Sequence, residues 1–453
     1  MKLMGVIISA LALNACANTL QDGEFMHKGM KFTITSDSTV MVGKNRDSKA
    51  QLKGRVEIPA SVTHKGITYK VTKIDGWGFF GWKKVTEFII PSTVSEIDIW
   101  AFSSCTSLKR ITIPESVTSM GYAVFDGCES LVDVTLPDAF TNLPSRTFNK
   151  CISLTEVRLP SELKTIEDRA FDNCKRLRVL DIPDGVSSVG NYAFDCCESL
   201  TTLPLPSSLL HVGAYAFNCC NGLTSIRLPE GLLTVGSQAF NCCTGLTSLT
   251  IPASVDSLGS GLFAGCRNLT EVVVAAGNKK FTCNGGVVMS ADRTSILASL
   301  SSVVKGQYEV PPTVVEIAPY AFYDCKGITG LAIPASVRTI GQKAFLNCSA
   351  VESLEFAEGV KEIGQAAFSG LSLLTSVSLP SSVEKIGQFV FGDCRHLTTA
   401  SVPEHITTDP WTFNDQLFDN LDNLVVSVRH PDGTSHVIKG DELIDLNKLY
   451  PER

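Results

Sequence analysis

Phenylalanine returns every 23 residues along this chain of 453, at Phe79, Phe102, Phe125, Phe148, Phe171, Phe194, Phe217, Phe240 and Phe263. After an interval of 59 residues the series resumes at Phe322, Phe345, Phe368 and Phe391. A proline stands 11 residues before most of these rings (Pro91, Pro114, Pro137, Pro160), and a cysteine 3 residues after many (Cys105, Cys128, Cys151, Cys174). A fixed period between about 20 and 50 residues means one small unit stacked on copies of itself, with a core that grows by adding rungs. The chain is therefore expected to be a repeat solenoid.

One repeat shows what each rung contains. Between Leu108 and Pro114, Ile111 and Ile113 alternate with Arg110 and Thr112, the period of two of a short half-buried strand. Proline cannot continue a central ladder, so Pro114 marks the strand's end. Val117 and Met120 then turn back to the interior, and Phe125 and Cys128, three apart, have the spacing of a short helical turn. Glycine recurs at the bend between them (Gly121, Gly190, Gly213, Gly236, Gly259, Gly341), where a positive φ is expected. The reading is a β-dominated solenoid with short 3₁₀ or helical turns and one parallel, concave sheet. About 14 or 15 rungs at roughly 4.8 Å would make that sheet roughly 65–75 Å long.

This pattern over residues 56–410 resembles the BspA-type leucine-rich repeat, a bacterial class found on surface proteins. The resemblance implies one strand per repeat in a parallel sheet, a β leader before the repeats, and attachment to host matrix proteins or other cells. The N-terminus points the same way. Lys2 precedes an apolar stretch, Leu3 to Leu13, too short to span a bilayer. It ends in Leu13-Asn14-Ala15-Cys16, which resembles a bacterial lipobox and makes Cys16 the lipidation candidate. The alternative is an ordinary secretory peptide cut near Ala15 or Ala17. The division expected is a signal peptide at 1–16, a β cap at 17–55, repeats at 56–410 with a degenerate rung and β insertion at 264–310, and a C-terminal cap at 411–453. Strand-like runs continue the leader to about residue 78, and a hairpin is expected around Pro431-Asp432-Gly433. An exported surface or outer-membrane lipoprotein follows, or else a secreted or periplasmic protein.

Chemistry-bearing residues are numerous but unorganised. Of 16 cysteines, most share one column, and Cys196, Cys219 and Cys242 form a second beside Cys197, Cys220 and Cys243. Leu371 and Trp82 take the first column's slot in other rungs, so it asks for a buried apolar group, a part free cysteine can play. Export would permit disulfides instead, although stacked Cβ vectors run parallel where a disulfide needs them to converge. The vicinal pairs lack zinc-site spacing. The seven histidines are scattered, with no pair at metal-ligand spacing, and acidic pairs such as Asp168 and Asp172 read as a solvated face. No nucleophile elbow, zincin or phosphate-loop motif occurs. The expectation is a non-enzyme without cofactor or metal. With a net charge of −7 and no basic block, nucleic acid is not an expected partner. A membrane would be met only through the lipid anchor.

The useful surface is then the outward side of the sheet, at positions two and four before each proline. Its N-terminal half is charged and its later half is rich in Ser and Thr, including Ser353, Ser376 and Ser378. Arg110, Glu156, Arg158 and Arg227 are the candidate contacts for an extracellular protein ligand, since charge sets specificity and encounter rate. Aromatic residues, which stack on sugars, are missing from these columns, so an adhesin-like binder of protein is expected, and a glycan-binding or envelope-organising lipoprotein is the alternative. Trp77, Trp82 and Trp100 are expected to pack between cap and first rungs.

Overall fold

The computed structural model describes residues 23–43, 52–407, 417–418 and 424–439. It is a β-solenoid in which each 23-residue rung makes three passes around a buried apolar core. The Pro-terminated pass forms strands such as Arg110–Thr112, Asp133–Thr135, Ser225–Arg227 and Ser248–Ile251, paired in parallel one rung apart. A second pass makes two-residue strands, Thr165–Ile166, Ser188–Val189, His211–Val212 and Thr234–Val235, also parallel. The third pass carries phenylalanine and cysteine. Among the described residues the helix content is one short segment, Glu404–Thr407.

The expected single sheet is interrupted. Among the described residues its strands fall into groups of four, three, three and four, and between Asp133–Thr135 and Ser225–Arg227 the ladder thins to one bridge, Val179↔Thr202. Pro204 occupies a mid-strand position there and has no N–H to give. Regularity is carried by the other two passes.

The Phe pass is not helical. Backbone φ is positive two residues before and two after the ring in rung after rung: Arg146 and Lys150, Arg169 and Asn173, Tyr192 and Cys196, Tyr215 and Cys219. Non-glycine residues enter this region at a cost of about 1–2 kcal/mol each. What offsets that cost is a ladder. Tyr192, Phe194 and Cys196 donate their N–H groups to the carbonyls of Ala214, Ala216 and Asn218 in the next rung, at 2.8–2.9 Å. The glycines at the bend have a different reason from the expected one, for φ at Gly213 and Gly236 lies outside the left-handed region. A Cβ on Gly213 would stand 2.5 Å from the carbonyl carbon of Gly190, and one on Gly236 2.3 Å from the nitrogen of Ala214. Glycine is needed because successive rungs touch backbone to backbone.

Inside, the phenylalanines form a spine. Phe171 and Phe194 stack with centroids 5.3 Å apart and planes 4° off parallel, and Phe194 and Phe217 follow at 5.6 Å and 6°. The cysteine column lies beside it, buried, with no disulfide among the described residues. These thiols do more than fill space. Cys197 Sγ donates to the Phe171 carbonyl at 3.3 Å, Cys220 Sγ to that of Phe194 at 3.1 Å, and Cys243 Sγ to that of Phe217 at 2.9 Å. Cysteine thus supplies a small apolar body and a donor aimed one rung back.

Both ends and the middle depart from the repeat. At the start, Glu24–His27, Met30–Ile34 and Thr39–Val42 form an antiparallel meander, and Thr39–Val42 runs parallel to Ile67–Ile74, which leads into the two-residue strands. This leader buries Phe25, Phe32, Val40 and Val42 over the first rung's apolar edge. In the middle, Phe281–Asn284, Val287–Ser290 and Ser295–Ser299 make an antiparallel excursion before the period resumes. At the other end Thr399–Pro403 pairs with Val425–Arg429, which hairpins to Ser435–Lys439. Cys16 and its segment lie outside the described residues.

Candidate binding face

Along each Pro-terminated pass, whether or not it pairs as a strand, side chains alternate between inward and outward. Ile111, Val157 and Ile226 are buried, while Arg110, Glu156, Arg158 and Arg227 are exposed, so all four candidates share one face. The structure brings only two of them together. Glu156 and Arg158 sit on one rung, Arg110 two rungs toward the N-terminus and Arg227 three toward the C-terminus. At about 4.8 Å per rung those are separations of roughly 10 and 14 Å along the axis.

Around Glu156 and Arg158 the face opens into a shallow depression whose other charged walls are Asp133, Asp181 and Asp184. Four carboxylates thus surround one guanidinium, and that guanidinium reaches out of the group to Asp138, its Nη2 3.1 Å from Asp138 Oδ2. Both partners are well exposed, so the pair is worth at most about 1 kcal/mol and yields readily to another ligand. Val132 and Val179, 44% and 48% exposed, line the same depression. Asp133 and Asp181 are visible in sequence as members of the outward columns. Asp184 follows Pro183, outside those columns, and only the turn geometry adds it.

Two further readings need correction. Trp82 is buried in the cysteine slot against Phe79 and Phe88. Trp77 and Trp100 instead lie against each other with centroids 4.0 Å apart and planes tilted by 51°, between the exposed rings of Phe80 and Tyr122 at 4.9 Å. This four-ring ladder lies on the Phe-bearing pass. Asp172 does not face solvent. It is buried, 2.8 Å from Arg169 Nη1, with the Asn173 amide donating to its other oxygen. Arg169 in turn lies over the Tyr192 ring at 4.2 Å. Nearby Asp126 and Asp195 are raised above the ordinary carboxylate range by burial, although amides of Asn149 and Asn218 donate to them. These side chains form a structural ladder.

The repeat geometry and the sequence now agree on one identity. Residues 72–197, 165–284 and 306–427 match the BspA type leucine rich repeat region. The chain belongs to the BspA-type leucine-rich repeat family. Among solved structures it is similar to a leucine rich cell surface protein from Faecalibacterium prausnitzii A2-165, at 26% identity over 90% of this chain and 94% of that one, with a TM-score of 0.56. A leucine-rich repeat protein from Bacteroides ovatus ATCC 8483 is similar at 25% identity, 87% and 98% coverage and a TM-score of 0.52. No protein of curated function matches. Among the described residues, no cluster of three or more His, Cys, Asp or Glu side chains is arranged to hold a metal, and no helix is long and apolar enough to cross a membrane.

Proposed function

We propose that this BspA-type protein is an exported, non-enzymatic, adhesin-like surface protein, anchored through a lipid on Cys16, which holds a protein partner on its outward sheet face. The observation that carries the reading is the depression around Glu156 and Arg158, where exposed valines and unlike charges occur side by side. Apolar contact surrounded by charge is what a protein partner with its own mixed patch recognises. The partner in view is a host matrix protein or a protein of another cell, with basic groups for Asp133, Asp181 and Asp184. Family membership and the similarity to a cell surface protein support display outside the cell.

The test is a binding array of matrix proteins, mucins and glycans probed with the mature protein. Changing Arg110, Glu156, Arg158 and Arg227 together to alanine should weaken the ligand found by at least tenfold and leave the melting temperature unchanged. A control altering Ser353, Ser376 and Ser378 should bind as the parent does; loss there alone would move the site to the C-terminal half. The ring ladder favours a second reading, a glycan laid across Trp77, Trp100 and Tyr122. Binding to polysaccharide that survives the fourfold change and fails in Trp100→Ala would establish it in place of the first.

A further inference from the structure

We propose that His430 and His436 form a surface site for a divalent transition-metal ion, with zinc as the representative ion. The two residues are six apart in sequence and meet through the terminal hairpin. Its register pairs Val428 with His436 and Arg429 with Ser435. The turn between is closed by the His430 N–H to the Thr434 carbonyl at 2.9 Å and by Asp432 Oδ1, which accepts from Thr434 N and Oγ1. His430 Nε2 consequently stands 2.8 Å from His436 Nδ1, with ring centroids 4.9 Å apart.

Glu404 decides what those nitrogens can do. Its Oε1 lies 3.0 Å from His430 Nδ1, on the side of the ring away from His436. It opens the short helix after Thr399–Pro403, whose Pro403 is registered against Arg429, so its position is fixed by the same sheet as the hairpin. The carboxylate accepts a hydrogen bond from His430 Nδ1–H, which leaves the Nε2 lone pair aimed at its neighbour. This is the carboxylate–histidine–metal arrangement that sets tautomer and ring orientation in metal sites. Without metal, the gap is filled by one proton, donated from His436 Nδ1 to His430 Nε2. When zinc binds, His436 gives up the Nδ1 proton to solvent and takes one from solvent at its exposed Nε2, so both rings bind as neutral imidazoles. Zn–N bonds of about 2.0–2.1 Å at a tetrahedral angle hold two nitrogens about 3.3 Å apart, so the rings must part by roughly 0.5 Å. His436 is exposed and can make that shift. Two imidazoles select zinc, nickel or copper over magnesium and calcium, and water or a partner's donors take the remaining positions.

Calorimetric titration of the full chain with zinc chloride, thiols kept reduced, tests this against His436→Gln and against His430→Gln/His436→Gln. The parent should take up one more equivalent than either variant, and zinc held by thiols elsewhere cancels in the difference. Glu404→Gln should keep the equivalent at about 10–100-fold weaker affinity, because Glu404 acts through His430 as a positioning residue. Magnesium chloride should give no such difference. Since His436 is exposed near the start of the last described strand, Ser435–Lys439, its variant should melt like the parent. Equal stoichiometry and affinity in the parent and His436→Gln would overturn the site, and undiminished affinity in Glu404→Gln would overturn the role of Glu404.

Discussion

At the scale of single residues, two cysteine columns one position apart have different exposure. Cys151, Cys174 and Cys220 are fully buried, and burial raises all three thiols well above their ordinary range. Cys196, Cys219 and Cys242 are half-buried on the outer surface of the Phe pass. Burial still raises them, Cys196 up to about 12 and Cys242 up to about 11, with Asp195 adding to the effect at Cys196. Only the thiolate attacks an alkylating agent, so the thiolate fraction sets the rate. Iodoacetamide labelling of Cys196 and Cys242 should therefore climb about tenfold per pH unit from pH 7 to 10. An unperturbed thiol levels off above about 8.5. Cys151, Cys174 and Cys220 should stay unlabelled until denaturant is added. Time courses read by mass spectrometry check both statements, and Cys151 reacting as fast as Cys196 in the folded protein would refute the burial argument.

At the scale of the rung, the phenylalanine is the element that cannot be spared. Phe194 has no exposed surface and lies between two parallel rings, so Phe194→Ala removes contacts on both faces and leaves a cavity. The expected cost is about 3–5 kcal/mol. Because each rung is held by its neighbours, hydrogen exchange should quicken in the rungs of Phe171 and Phe217 as well. Unchanged exchange there would show the spine is not cooperative. This spine was legible in sequence because it repeats one residue type at one interval. The left-handed ladder was not, since a cation, a phenol and a thiol (Arg146, Lys150, Tyr192, Cys196) take the same positions and have only their backbone angles in common. The glycines were legible as necessary, but for the wrong reason: sequence shows that a Cβ is absent, not what it would strike. The outward columns were read from alternation alone. The meeting of His430 with His436 needed the hairpin register as well as the turn, and the acidic depression needed Asp184 from beyond the strand.

At the scale of the molecule, the excursion at Phe281–Ser299 divides the core. The spine runs to Phe263, stacked on Phe240 at 6.4 Å, and restarts with Phe322 on Phe345 at 4.8 Å. Between them Val287–Ser290 acts as a two-sided wedge. Val288 joins the first hydrophobic cluster, while Val287 and Met289 join the second, as the alternation of a strand requires. One polar staple crosses the gap on the Phe pass. Arg267 Nε lies 2.9 Å from Asp324 Oδ2, 57 residues away in sequence, and Lys326 holds the other oxygen at 3.0 Å. Asp324 is buried while Arg267 is 65% exposed, so solvent screens the pair and Arg267→Ala should cost only about 1 kcal/mol. Its effect on cooperativity should be larger than its effect on stability. In a solenoid, rungs unfold together only while the interfaces between them outweigh differences in rung stability. The wedge is the expected weak interface, because the phenylalanine spine and the core both break there. Calorimetry of the parent should give a broad or two-step transition, with the halves before and after the excursion unfolding separately. Arg267→Ala should move the two steps further apart and quicken hydrogen exchange first at the excursion. One sharp transition in both proteins would mean that the wedge couples the halves as tightly as any other rung does.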